Sequence, residues 1–350
     1  MIKHLDQHVI GQSQAKQTLA IAVYNHYCRT RAVLDPKRNK DVTLEKSNIL
    51  LVGPSGSGKT LLAQTFAKIL DVGFTSADAT AFTQAGYVGE DVTNILERLI
   101  LRCDGDVRKA EQGIIFVDEV DKIAKKVAAS GNHTRDVGGE GVQQALLKMI
   151  EGNIVNVPIK GRSMGGNETV QIDTSNILFI FSGAFSGIEN IINKRSGESA
   201  IGFVESSNTI RPSEVTYDYL LSKLESTDFI QFGLIPEFVG RIPICTVLQD
   251  LDHKALVRIL VEPKNSLVNQ FVFLFKENNV ELEFSPESLE EIAKLAISKK
   301  LGARGLRSIM ERILSPFMIN FPYTNKTNLK ITPQNVNSSL EAVSIPEIEK

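Results

Sequence analysis

A chain of 350 residues with 42% hydrophobic and 23% charged side chains has an ordinary globular composition and room for two cores. The formal net charge of −2 leaves no basic surface for nucleic acid to be expected. Cys28, Cys103 and Cys245 lie far apart with no Cys-x-x-Cys pair, which excludes a disulfide framework and a cysteine-rich zinc module. The opening residues lack the apolar core of a signal peptide and no run reaches membrane-span length, so no membrane partner is expected. A cytoplasmic protein is expected, or one of an organellar matrix if the source is eukaryotic.

In chain order, a helical pattern runs from Ser13 to about Arg31, with Ala15, Leu19, Ala22, Val23 and Tyr27 at helical spacing. Asp35 to Lys46 is polar and reads as a loop. The apolar run Asn48-Ile49-Leu50-Leu51-Val52 then leads into Gly53-Pro54-Ser55-Gly56-Ser57-Gly58-Lys59-Thr60, and a second helical pattern continues to Leu70. Strand, glycine-rich loop and helix in that order are what a phosphate cradle requires. The glycines let backbone N–H groups turn toward phosphate oxygens. Lys59 would reach the β- and γ-phosphates and the Thr60 hydroxyl would ligate Mg²⁺, so a nucleoside triphosphate and Mg²⁺ are the expected ligands.

Gly73 to Asp78 reads as a second strand. Ala85-Gly86-Tyr87-Val88-Gly89-Glu90-Asp91 follows, a loop that can present an apolar tip but on its own reads first as a turn with a locally packed Tyr. After a helix over Val92–Cys103, Gly113-Ile114-Ile115-Phe116-Val117-Asp118-Glu119 reads as a buried parallel strand ending in two carboxylates. Asp118 would hold Mg²⁺ through water, and Glu119 would polarise the attacking water as general base. Lys125 to Gly141 reads as a loop, Gln143–Glu151 as a helix, and 154–172 as weakly alternating around a glycine-rich excursion. Asn176–Ser182 is a further buried strand, and Ser196–Pro212 is polar around the apolar island Ile201-Gly202-Phe203.

Gly233 to Arg241 reads as a short helix before a strand over Ile242–Leu248, and Arg241 alone reads as a helix-end cation. From Asp252 the pattern changes to helices near Lys254–Val261, Pro263–Lys276, Pro286–Ser298 and Gly305–Phe321, with one strand at Glu281–Phe284. The expected fold is therefore α/β: a P-loop domain with a parallel sheet flanked by helices (1–249), then a smaller, mostly helical α+β domain (250–336). A polar tail (337–350) completes the chain.

Together these features resemble an AAA+ ATPase, and more narrowly the ClpX family of protein-unfolding motors, over roughly residues 5–336. Five strings carry the likeness: residues 9–16, 86–91, 134–148, 233–241 and 302–308. The resemblance implies that Val9 and Ile10 sit beside the adenine and that Gly53 to Thr60 with Asp118 form the ATP site. It implies that Tyr87 and Val88 grip the translocating polypeptide, with Arg135, Asp136 and Val137 as a second pore loop. Arg241 matches an arginine finger that enters the neighbouring subunit's site and joins Glu119 and Lys59 as catalytic groups. Arg304 matches the sensor arginine, and Ile201, Gly202 and Phe203 match the loop that docks on a ClpP-type peptidase.

The implied partners are a homohexamer, that peptidase, and unfolded or tagged protein substrates; no peptidase activity of the chain's own is implied. Two departures stand out. The four-cysteine zinc domain that usually opens such chains is not in this sequence. The usual Gly-Arg-Lys-His entrance loop reads Gly161-Arg162-Ser163-Met164. A stand-alone remodelling chaperone working without a peptidase is the alternative, and it would have no need of Ile201-Gly202-Phe203.

Overall fold

The computed structural model describes residues 1–34, 44–83, 90–125, 139–160, 167–198, 217–299, 301–319 and 328–341. In chain order these form α1 (Ile2–Leu5), α2 (Ser13–Leu34), β1 (Ile49–Val52), α3 (Lys59–Leu70), β2 (Phe74–Asp78), α4 (Asn94–Arg102), α5 (Val107–Ala110) and β3 (Ile114–Asp118). Next come α6 (Gly139–Ile150), β4 (Ile154–Lys160), β5 (Asn167–Asp173), β6 (Leu178–Gly183), α7 (Ile188–Glu198), α8 (Tyr217–Ser222), α9 (Ser226–Phe232), α10 (Pro236–Gly240) and β7 (Ile244–Val247). The remainder is α11 (His253–Val261), α12 (Leu267–Lys276), β8 (Glu281–Phe284), α13 (Pro286–Ser298), α14 (Gly302–Ile319), β9 (Asn328–Ile331) and α15 (Pro333–Glu341).

The chain divides into two compact units. The first holds Ser13–Pro54 and Lys59–Gln249; the second holds Ile2–Gln12, Ser55–Gly58 and Asp250–Lys350. Residues 2–12 and 55–58, which the sequence reading placed with the larger domain, thus group with the second unit.

In the first unit, β1, β3 and β6 form where the sequence runs apolar without alternation, a pattern stable only when both sheet faces are covered. Their apolar side chains are accordingly buried. The five strands lie in the order β2-β3-β6-β1-β7 with every pairing parallel. All five C-terminal ends therefore share one edge. Register places Val52 beside both Gly183 and Val247, and Val117 beside Phe181. The weakly alternating 154–172 stretch is an antiparallel hairpin, paired from Ile154↔Asp173 to Lys160↔Asn167.

Helix α6 starts four residues before the expected Gln143, at Gly139. A Cβ there would stand 2.6 Å from the Ile123 carbonyl oxygen, so this glycine marks a close approach and not a loop.

The inner face of α2 is fastened to the turn after β5. His26 Nε2 donates to Asn176 O (3.0 Å) and Arg29 Nη2 to Ser175 O (2.7 Å), and Lys46, in the segment leading into β1, donates from Nζ to Thr174 O of the same turn (2.7 Å). Burial, reinforced by Arg29, lowers His26 to about 4, and burial lowers Lys46 to about 7. Above pH 6.5 the imidazole is neutral in both folded and unfolded chains. As pH falls from 6.5 toward 4 the unfolded chain takes up a proton that the folded one refuses, so stability is lost across that window. Between pH 6.5 and 5 this group alone is expected to remove about 1.5 kcal/mol. Urea midpoints at the two pH values should therefore fall further for the native chain than for His26→Gln; parallel falls would contradict the assignment.

The second unit packs α11 to α15 around Leu256, Phe275, Ile292, Leu306, Met310 and Ile331. Asp252, Ser266 and Ser285 cap α11, α12 and α13 through the N–H groups of Ala255, Asn269 and Ser288. Three expectations are corrected here. Helix α12 begins at Leu267, not Pro263, because Ser266 is its cap. The unit contains a second strand, β9, parallel to β8 from Glu281↔Asn328 to Phe284↔Ile331. Helix α15 runs through the boundary drawn at 336, held by buried Val336 and by Asn335 Oδ1 accepting from Thr332 N at 2.9 Å.

Candidate nucleotide site

In the first unit, the ends of β1, β3 and β6 bring the chemistry together. Gly53 N donates to Gly183 O at 3.2 Å, locking the first loop residue to the end of β6. A Cβ on Gly53 would meet Leu248 O at 2.6 Å, so this glycine lets the loop leave β1 against the chain beyond β7. Lys59 opens α3 with its side chain folded back, its buried Nζ donating to Gly53 O (2.7 Å) and Pro54 O (2.9 Å). The ammonium is thus held at the loop's mouth, where a helix N-terminus also favours negative charge.

Asp118 ends β3 and accepts from the Ser182 hydroxyl on β6 and from Glu119 N at 3.0 Å. Those two bonds fix which way the carboxylate faces. Glu119 adopts φ 58°, ψ 33°, a left-handed conformation unusual for glutamate. Such a position costs about 1–3 kcal/mol and persists where the surroundings impose it. Its carboxylate is exposed beyond the strand end. A cleft of about 360 Å³ beside these groups is lined by Thr60, Asp118, Ser76, Asp78, Glu90 and Arg98. Glu90 and Arg98 in its wall form an ion pair at 2.5 Å.

In the second unit, Val9 and Ile10 are buried, and Gln12 Nε2 donates to Ser57 O at 3.4 Å. Gly56 and Gly58 take φ +86° and +99°, values open to glycine. A Cβ on Gly56 would lie 3.4 Å from Ala303 N, so Ser55–Gly58 rest on the start of α14. Arg304, in the first turn of α14, is exposed.

A hydroxyl and a carboxylate, Thr60 and Asp118, lining one cleft are the hard oxygen donors that Mg²⁺ takes, and the folded-back Lys59 supplies a cation for phosphate. The donor set therefore fits Mg²⁺ and a polyphosphate.

Arg241 stands elsewhere. It is the C-cap of α10, three residues before β7, at the N-terminal edge of the sheet. Its guanidinium pairs with Glu151, just past α6, at 3.1 Å. Tyr87, Val88, Arg135, Asp136, Val137, Ile201, Gly202 and Phe203 lie outside the described residues, as do Gly161 to Met164.

Sequence reasoning passed over Ser182, Asn48 and Glu151. Ser182 was visible as the polar last residue of an apolar strand. Asn48 and Glu151 gave no local signal, because their partners lie far along the chain.

A family model described as AAA domain (Cdc48 subfamily) matches residues 44–245, and one described as the C-terminal, D2-small domain of ClpB protein matches 251–332. The ATP-dependent Clp protease ATP-binding subunits ClpX of Borrelia duttonii (strain Ly) and Borrelia recurrentis (strain A1) are each 52% identical over 341 residues. Those alignments cover 97% of this chain and 78% of each relative. Phosphate loop, acidic strand end, helical second unit and these matches agree: the chain belongs to the ClpX family of AAA+ ATPases.

Proposed function

We propose that this chain is an ATP-driven protein unfoldase and translocase, working as a homohexamer that threads proteins into a ClpP-type peptidase. One observation supports the reading: the residues it assigns to catalysis occupy opposite edges of a single sheet. Lys59, Thr60, Asp118 and Glu119 gather where the strands end, whereas Arg241 stands where β7 begins. Four residues of β1 span about 13 Å, more than an extended arginine side chain reaches. An Arg241 that meets phosphate therefore meets a neighbour's, a head-to-tail contact of the kind from which closed rings are built.

Lys59 binds and orients the phosphates, with Gly53, Pro54 and Ser55 to Gly58 shaping the loop around them. Thr60 and Asp118 would hold Mg²⁺, which supplies charge neutralisation on the β- and γ-phosphates when bound. Glu119 takes the proton of the attacking water, and the neighbour's Arg241 stabilises charge on the transferring group. Val9 and Ile10 flank the base, and Arg304 senses the nucleotide. Tyr87 and Val88, with Arg135, Asp136 and Val137, grip the polypeptide, and Ile201, Gly202 and Phe203 dock the peptidase. The relatives' description as ATP-binding subunits of an ATP-dependent Clp protease supports both nucleotide and peptidase. Among the described residues no helix is long and apolar enough to cross a membrane, and a cytoplasmic site of action suits the reading.

The test is ATP-dependent loss of fluorescence from a folded, tagged reporter, with and without a ClpP-type peptidase. Degradation is expected only with ATP, peptidase and an intact Phe203, and Phe203→Ala should lose it while keeping ATPase. Active ATPase with no loss of reporter signal would overturn the unfoldase reading.

A further inference from the structure

We infer that Glu151 is a positioning residue for Arg241, holding the guanidinium in the attitude in which it meets the neighbouring subunit's nucleotide. The inference rests on the trans-acting reading of Arg241 given above.

The backbone of Arg241 is fixed first. Its N–H donates to Phe238 O at 3.2 Å, closing the last turn of α10. Its carbonyl accepts from Asn48 Nδ2 at 2.9 Å, and the same buried amide reaches Ile150 O at 3.5 Å. Asn48 is 1% exposed and immediately precedes β1. A single amide therefore joins the foot of β1, the end of α6 and the finger's own residue. This leaves the long arginine side chain as the part still free to wander.

Glu151 restrains that part. It follows Ile150 directly, so the Asn48 contact that seats the end of α6 also places this carboxylate. Oε1 of Glu151 lies 3.1 Å from Nη2 of Arg241. A guanidinium carries five N–H donors, so one contact to glutamate leaves others to meet a phosphoryl oxygen. The two side chains are 56% and 40% exposed. A pair that open to solvent adds little to stability. What it supplies is orientation, which matters for a group that must meet developing charge at one position.

The test compares steady-state ATP hydrolysis by the full chain carrying Glu151→Ala, Glu151→Gln, Arg241→Ala, or Arg241→Ala with Glu151→Ala. Glu151→Ala should lower kcat roughly tenfold with KM for ATP within about twofold, since orientation acts in the transition state. Glu151→Gln keeps an acceptor oxygen and should recover much of that loss, and the thermal midpoint should not move in either variant. In the Arg241→Ala background, Glu151→Ala should change kcat by less than about twofold, because both changes remove one interaction.

Unchanged kcat in Glu151→Ala, beside a clear loss in Arg241→Ala, would overturn this inference and leave the finger reading standing. Equal fractional losses from Glu151→Ala in both backgrounds would overturn it as well. Unchanged kcat in Arg241→Ala would overturn the finger reading and this inference with it.

Discussion

Glu119→Gln is expected to lower ATP turnover by about 10²–10³-fold while leaving ATP binding near the native level. The substitution keeps size and shape but removes the basic oxygen. The phosphate contacts proposed above lie elsewhere, on Lys59, Thr60 and the glycine-rich loop, so affinity should be retained. The exposed carboxylate packs against little, so the thermal midpoint should also stay put. Turnover within about threefold of native would remove Glu119 from the catalytic role and leave its left-handed backbone without a functional account. Isothermal titration with ATP alongside steady-state hydrolysis separates the two quantities.

Arg195→Ala is expected to be the more damaging change to stability. Arg195 on α7 donates to both carboxylate oxygens of Asp228, at 2.9 and 3.1 Å, and to Glu225 at 2.6 Å and Lys223 O at 2.6 Å. Asp228 is fully buried, and it also accepts from Glu225 N at 2.8 Å to cap α9. Removing the guanidinium strands a carboxylate away from water, a loss of about 3 kcal/mol. For a unit of this size that is a drop of roughly 6–10 °C in thermal midpoint. Arg195→Lys keeps the charge but not the two-pronged geometry and should fall between. A midpoint within about 2 °C of native would contradict the assignment.

The functional readout follows from position. Helices α7 and α8 flank residues 199–216, the stretch that contains Ile201-Gly202-Phe203. Arg195 ties the first of those helices to the chain just beyond the second. With the docking role proposed for that stretch, peptidase-dependent degradation should suffer more than ATP hydrolysis.

The site and the sheet were legible wherever local physics dominates. Central parallel strands must be apolar on both faces, so β1, β3 and β6 announced themselves as unbroken runs. The phosphate loop announced itself through glycines at positions that take positive φ, Gly56 and Gly58. Glycines that serve close approach inside helices gave no such signal, and Gly139 was read as loop. Gly139 and Gly305 would carry Cβ atoms 2.6 Å from Ile123 O and 2.4 Å from Leu301 Cβ, yet both belong to α-helices.

The short strand β9 was missed because Asn328-Leu329-Lys330-Ile331 offers only two apolar residues, and its order comes from pairing with β8. Helix α15 was missed because its sequence is mostly polar around buried Val336. Long-range polar partners left no trace in local pattern at all. Asn48 meets Arg241 across 193 residues and Arg195 meets Asp228 across 33.

The measurement that bears most directly on a shared active site mixes two inactive subunits. Glu119→Gln subunits lack the proposed base but carry Arg241, and Arg241→Ala subunits lack the proposed finger but carry Glu119. Each alone should be nearly inactive. In rings assembled at random from equal amounts, a site needs an intact base (one half) and an intact neighbouring finger (one half). Roughly a quarter of the sites should then hydrolyse ATP, far above either parent. Mixed rings that stay as inactive as their parents would contradict a site completed by the neighbouring subunit.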